Sequence, residues 1–358
     1  MDFPYKKHSL NDDNFIEGKV GWRCPSNIAI VKYWGKHGIQ IPRNASFSFT
    51  LSNAHTDTFI IYSKQQNNKI SLDFLFEGKE NQAFADKIRS YFNNIAAYIP
   101  ILKDFHFKIE SQNSFPHSSG IASSASAMGA LALCICSIEA EIFGISHDEE
   151  LRQKASHLAR LGSGSASRSI IPYFSTWGSH NNIPNSSDLH ATQTDGLHPI
   201  YKTFHDDILI VSAEEKSVSS TAGHALMTDN IYATSRYIQA NNRVNDLLQI
   251  MKTDNVDDFG KIAEDEAMTL HALMMCSNPS YVLIEPGTLQ MIKEIRSFRK
   301  STNIPIYFTL DAGPNIHLLY PDAVKEDAEK LIQDRLIQFT AENVVIKDKV
   351  GNGPSRLL

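Results

Sequence analysis

Residues 125–145 are the most apolar stretch of this chain and have to be buried somewhere. Glu139 and Glu141 interrupt the stretch, and its uninterrupted apolar part is too short to span a bilayer. It is therefore expected as an apolar helix of a soluble protein, ending near Phe143. A polar, small-residue loop, NSFPHSSGIASS (113–124), runs directly into it. Small residues allow close backbone approach, and a helix start offers unpaired N–H groups, so this junction can take a phosphate. It is not a Walker A loop, because GxxxxGK[ST] occurs nowhere in the chain. Taken alone, it also reads as an ordinary helix cap.

On either side of this junction the periodicity changes. Residues 20–23, 27–33, 46–52, 58–63, 70–76 and 105–111 have strand character. The segments 58–63 and 70–76, joined by KQQNNK, read as a hairpin. Helices are expected at 81–99 and 148–161. The second has Ser146 and acidic residues at its start, which suits the helix dipole, and it ends at Gly162. Residues 179–198, rich in Asn, Ser, His and Gly, mark a boundary. Beyond it, strands are expected at 207–213, 305–310, 315–320 and 343–347. Helices are expected at 219–243, 244–252, 256–274, 287–300 and 322–338. A chain of 358 residues fits two domains, here 1–195 and 196–358, in an α+β arrangement.

A net charge of −6 makes a general nucleic-acid binder a poor reading, so any bound anion needs a local basic site. Cys24, Cys134, Cys136 and Cys276 form no CxxC pair and read as free thiols of a reducing compartment. The first fifteen residues hold no signal-peptide h-region, and a cytoplasmic protein is expected. His180, His190, His198 and His205 match neither HxxxH nor HExxH spacing and carry no metal reading.

Three further segments carry chemistry. GSGSASRS (162–169) follows a helix rather than a strand, so it is no dinucleotide fingerprint. Its hydroxyls and Arg168 can form an anion-binding turn, since arginine presents a planar fork to carboxylate or phosphate. NIAIVKYWGK (27–36) places Lys32 and Lys36 around an aromatic pair. TLDAGPN (309–315) puts Asp311 at a strand end before a Gly-Pro turn, where a carboxylate can accept or orient a hydroxyl proton. Each segment alone also has a plain structural reading: a solvated linker, exposed lysines, an Asx turn.

Together, in this order, these segments resemble the GHMP kinase superfamily and, within it, the diphosphomevalonate decarboxylases. PxNxSxSxTL (42–51), VSAEEKSVSST (211–221) and LHA (270–272) extend the resemblance. It implies two lobes, the first like domain 2 of ribosomal protein S5 and the second a ferredoxin-like α+β lobe. It implies ATP and Mg2+ and a homodimer, while the acidic composition and the short apolar stretch leave no nucleic-acid or membrane partner expected. It also implies a reaction: ATP phosphorylates the C3 hydroxyl of diphosphomevalonate, phosphate leaves, CO2 is lost and isopentenyl diphosphate forms. Asp311, Lys32 and Arg168 would be catalytic, with Arg168 gripping the substrate carboxylate. Tyr33, Lys36, Ser163 and Ser165 would bind substrate. Pro116, Ser118, Ser119, Gly120, Ala122, Ser123 and Ser124 would wrap ATP, the last two near Mg2+. His117 stands where the family loop carries threonine. The arginine that many members place near the first helix of this lobe has only Lys79, Lys87 or Arg89 as substitutes. A monophosphate-specific decarboxylase and a small-molecule kinase are the neighbouring readings.

Overall fold

The computed structural model describes residues 4–10, 16–115, 123–146, 149–212 and 220–358. Its first lobe is built on β1 (Glu17–Val31), which carries at its end a small hairpin of β2 (Lys36–His37) and β3 (Ile41–Pro42). β1 pairs antiparallel with β4 (Ser46–Lys64) along its length. The sequence pattern splits each of these strands in two, because alternation fails near Pro25 and again at Ser52–Asn53. The ladder slips there but does not end. Proline cannot donate to it, and the extra residues of β4 form a bulge. Asp348, from the far end of the chain, holds that bulge by accepting the amides of Ser52, Asn53 and Ala54 at 2.7–2.9 Å.

The expected hairpin of 58–63 with 70–76 does not form. β5 (Ser71–Phe76) continues to β6 (Lys79–Glu80), α1 (Gln82–Ile95) and β7 (Phe105–Asn113), and β7 is the strand that lies against β4. β5 pairs parallel with β7 on its other side. Parallel neighbours need a crossover, and α1 supplies it. Alternation marks a strand but does not name its neighbour, so the pattern left this order open. α1 ends at Ile95 rather than at 99, and a short 3-10 turn (Pro100–Lys103) follows.

α2 (Ser123–Phe143) and α3 (Glu149–Gly162) cover this sheet, followed by α4 (Ala166–Ser169), β8 (Phe174–Trp177) and β9 (Thr192–Gln193). α2 is long and apolar enough to cross a membrane, but it is buried against β1, β4 and α3. Its Glu139 accepts from Lys154 at 2.5 Å and lies 3.1 Å from the ring of His8, so its charge is met inside the core.

The second lobe opens with β10 (Phe204–Leu209). α5 (Ser220–Ala225), α6 (Ala233–Ile250), α7 (Val256–Met275) and α8 (Pro286–Thr302) follow. Asn230 breaks the helix expected across 219–243: its side chain takes the Tyr232 N–H and donates to the Leu273 carbonyl. β11 (Tyr307–Leu310), β12 (Ile316–Pro321), α9 (Lys325–Leu331), β13 (Val345–Ile346) and β14 (Ser355–Arg356) complete the chain. The expected helix 322–338 is a 3-10 turn, α9, a π turn and a second 3-10 turn. The second sheet has the order β11-β12-β10-β13, while β14 returns to pair with β1. One apolar cluster joins Phe47 and Phe49 of the first sheet to Phe204, Val244, Phe259 and Tyr307 of the second lobe. The functional segments converge where these lobes share a core.

Candidate active site

Lys32 follows β1 directly and is 2% exposed. Its backbone N–H donates to Glu266 Oε2 at 2.8 Å, and its ammonium donates to the Ala29 carbonyl at 2.6 Å. Glu266 projects from the buried face of α7. Arg236 grips both its oxygens at 2.6 and 2.7 Å, and Arg243 adds a bond of 2.7 Å. Burial pushes the Glu266 carboxyl up, but the two guanidinium groups and the Lys32 amide outweigh it and hold it below its ordinary value. Burial lowers the Lys32 ammonium to about 8, while Asp311 and Glu266 oppose that loss.

Asp311 directly follows β11, in a turn held from several sides. His271 Nε2 donates to its carbonyl at 3.1 Å, and Gly313 N–H reaches the same oxygen at 2.8 Å. Thr288 donates to the Pro314 carbonyl, and Asn315 Oδ1 receives the Val211 and Ser212 amides. Ala312 packs in one cluster with Trp34 and Leu270, so three of the sequence motifs share a core. After burial, the Asp311 carboxylate is the strongest influence on Lys32.

Arg168 is also buried, fixed on α4. Its guanidinium donates to Ser46 Oγ at 2.6 Å and to Asn27 Oδ1 at 3.3 Å, and lies 5.7 Å from the Trp177 ring centroid. Burial lowers it to about 10, and the Asp311 carboxylate acts against that. No carboxylate of the chain is hydrogen-bonded to it among the described residues, which suits it to an external one. Tyr33 packs on Trp177 at 4.6 Å, and its buried hydroxyl has no protein partner among the described residues. Gly164 is obligatory beneath it: a Cβ there would stand 2.9 Å from the Tyr33 oxygen and 3.0 Å from Trp177.

Lys36 donates to Gln40 Oε1 at 3.0 Å, and Arg160 donates to the Ile39 and Gln40 carbonyls, bracing the turn that presents it. Ser124 Oγ lies 3.3 Å from Ser163 Oγ, so the start of α2 and the GSGS turn meet. Ser123 opens the same helix, and Ser165 gives its carbonyl to Asn27. Pro116, Ser118, Ser119, Gly120 and Ala122 lie outside the described residues, as does most of 213–221. Lys87 lies over the Phe84 ring and Arg89 pairs with Asp86. His180, His190, His198 and His205 each have a hydrogen-bond partner within the protein, and no metal-ligating cluster occurs among the described residues.

Two protein families match the chain in tandem. The diphosphomevalonate decarboxylase-like N-terminal domain matches residues 24–191, and the mevalonate 5-diphosphate decarboxylase C-terminal domain matches residues 207–356. The chain belongs to the diphosphomevalonate decarboxylase family. The diphosphomevalonate decarboxylase of Candida albicans is 28% identical, over 92% of this chain and 96% of its own. A phosphomevalonate decarboxylase of Haloferax volcanii is 24% identical, over 85% and 89%. The mevalonate diphosphate decarboxylase structure from Staphylococcus aureus superposes with a TM-score of 0.81 at 26% identity, covering 96% of this chain and 99% of that one. A structure described as MDDEF in complex with MVAPP, AMPPCP and magnesium gives the same score and coverage at 25% identity. The two-lobed α+β fold expected for the GHMP kinase superfamily is therefore the fold of this chain.

Lys32, Asp311 and Arg168, singled out in the sequence, lie within electrostatic reach of one another, but the sequence pattern missed the groups that hold them. Glu266 had a signal: a carboxylate at an inward position of an apolar helix has to meet a cation. Arg236, Arg243 and Asn27 gave none that periodicity could separate from surface residues.

Proposed function

We propose that this decarboxylase-family chain converts (R)-5-diphosphomevalonate and ATP to isopentenyl diphosphate, ADP, phosphate and CO2. The observation that carries the reading is the buried Lys32, fixed through Glu266, within electrostatic reach of both Asp311 and Arg168. Arg168 receives the substrate carboxylate. Asp311 takes or holds the proton of the C3 hydroxyl while that oxygen attacks the γ-phosphorus of ATP. Lys32 offsets the negative charge that builds up between Asp311 and the moving phosphoryl group. Phosphate then leaves with the C3–O electron pair. The C1–C2 pair becomes the new double bond, and CO2 departs.

The hydroxyls at the first turn of α2 suit Mg2+, which takes oxygen ligands and keeps most of its contacts with phosphates and water. Ser123 and Ser124 would contribute there. When bound, the ion neutralises charge on the phosphate oxygens. Four free cysteines support a reducing cytoplasmic setting; a homodimer is the assembly we propose.

Incubation with Mg-ATP and diphosphomevalonate, with products identified by mass spectrometry, tests the reading. Isopentenyl diphosphate supports it, and a phosphorylated product that keeps its carboxylate contradicts it. The second reading, a monophosphate substrate, is favoured by one observation: Lys87 and Arg89, two of the three candidates for the diphosphate contact, engage Phe84 and Asp86 instead. Turnover of mevalonate 5-phosphate alone would select it.

A further inference from the structure

The cationic side chains available to a substrate's phosphate tail leave room for another donor, and the residue after Gly223 supplies one. We propose that His224 is a specificity-determining residue that donates its Nε2–H to a phosphate oxygen at the tail of the substrate, beside Lys36. This rests on the reading above and names a contact within it.

Two aromatic rings fix the imidazole. Its centroid lies 4.3 Å from that of Tyr33 and 4.7 Å from that of Trp34. The Gly35 N–H donates to its Nδ1 at 3.0 Å. An N–H can be received only by a ring nitrogen that carries a lone pair, so the neutral ring keeps its proton on Nε2. Gly35 itself is fixed. Its φ of +100° is a region that favours glycine, and a Cβ there would stand 2.4 Å from the Tyr237 hydroxyl. The donor is thus oriented before any ligand arrives.

The ring is 8% exposed, and the bond from Gly35 is its one hydrogen bond among the described residues, which leaves Nε2 accessible to solvent or a ligand. A fixed N–H that opens to the site is ready for an acceptor. The charges around it identify one. Burial holds the ring's pKa down to about 3, so it is neutral at physiological pH. Lys36 is the charge acting on it most strongly, ahead of Asp311 and Arg168. The orphaned Tyr33 hydroxyl belongs to a ring stacked against the same imidazole. A fixed neutral donor beside a lysine and a free phenol is chemistry for a phosphate oxygen. Arg168, the weakest of the three influences on the ring, serves the carboxylate end.

The test uses H224F, which keeps a ring between Tyr33 and Trp34 but has no donor, and H224Q, which restores an N–H. Expected for H224F is a rise of about tenfold in KM for diphosphomevalonate, the size of one lost charge-assisted hydrogen bond. The KM for ATP should stay within about twofold, and H224Q should recover most of the loss. An unchanged substrate KM in folded H224F, equal losses in both variants, or a rise confined to ATP overturns the proposal. A measurement on the wild type stands even where H224F fails to fold. In protein labelled with 15N-histidine, the His224 signal, assigned by its loss in H224Q, should report a proton on Nε2 and move when inorganic pyrophosphate is added. A proton on Nδ1, or no response to pyrophosphate, overturns the proposal. Wild-type protein that turns over no diphosphomevalonate counts against the proposed reaction, while the pyrophosphate response still decides the role of His224.

Discussion

Glu266 accepts the backbone amide of Lys32 at 2.8 Å across the junction of the two lobes, while Arg236 and Arg243 neutralise its charge from behind. Lys32 is therefore set in place by its main chain, while its ammonium donates to the Ala29 carbonyl and stays within electrostatic reach of Asp311. The Glu266 carboxylate also raises the proton affinity of that ammonium against the burial that lowers it.

Glu266→Gln keeps an acceptor for the amide but leaves two guanidinium groups without their carboxylate. Breaking a buried pair in this way costs roughly 3–5 kcal/mol. A thermal melt should show a much lower midpoint, and kcat should fall in the surviving folded fraction. An unchanged melt would mean that the network carries little.

The activity should depend on Lys32 remaining protonated. Its pKa of about 8 places the alkaline limb of kcat/KM near that pH, with activity falling as pH rises through it. Glu266→Gln removes a charge that raises this pKa, so the limb should move to lower pH. A profile flat to pH 10 in the wild type would contradict the assignment.

Arg168→Lys replaces a fork bound to Ser46 and Asn27 with a point charge. Two directed bonds are lost, and KM for the substrate should rise about 10- to 100-fold while KM for ATP changes little. Steady-state kinetics with each substrate varied in turn measures the split.

Gly164→Ala forces a methyl against the Tyr33 oxygen and Trp177 at 2.9–3.0 Å. The overpacking should cost about 1–3 kcal/mol of stability and raise substrate KM through Tyr33. Chemical denaturation with parallel kinetics checks both.

Candidate site residues were easier to single out in the sequence than the strand order. Lys32, Arg168 and Asp311 stand in short segments whose residue types limit what they can do, and they converge. β5 was legible as a strand but its neighbour was not, because alternation records one face and no partner. β1 and β4 looked broken because their bulges interrupt the pattern while Asp348, some 300 residues away, repairs the hydrogen bonds. The support of Lys32 by α7 joins residues 234 positions apart, a relationship no local window contains.

The most direct test follows carbon 1. Diphosphomevalonate labelled there with 13C and incubated with Mg-ATP should release one equivalent of labelled CO2 for every ADP formed, and Asp311→Ala should stop both. ADP formed without labelled CO2 would make the chain a kinase and contradict the account.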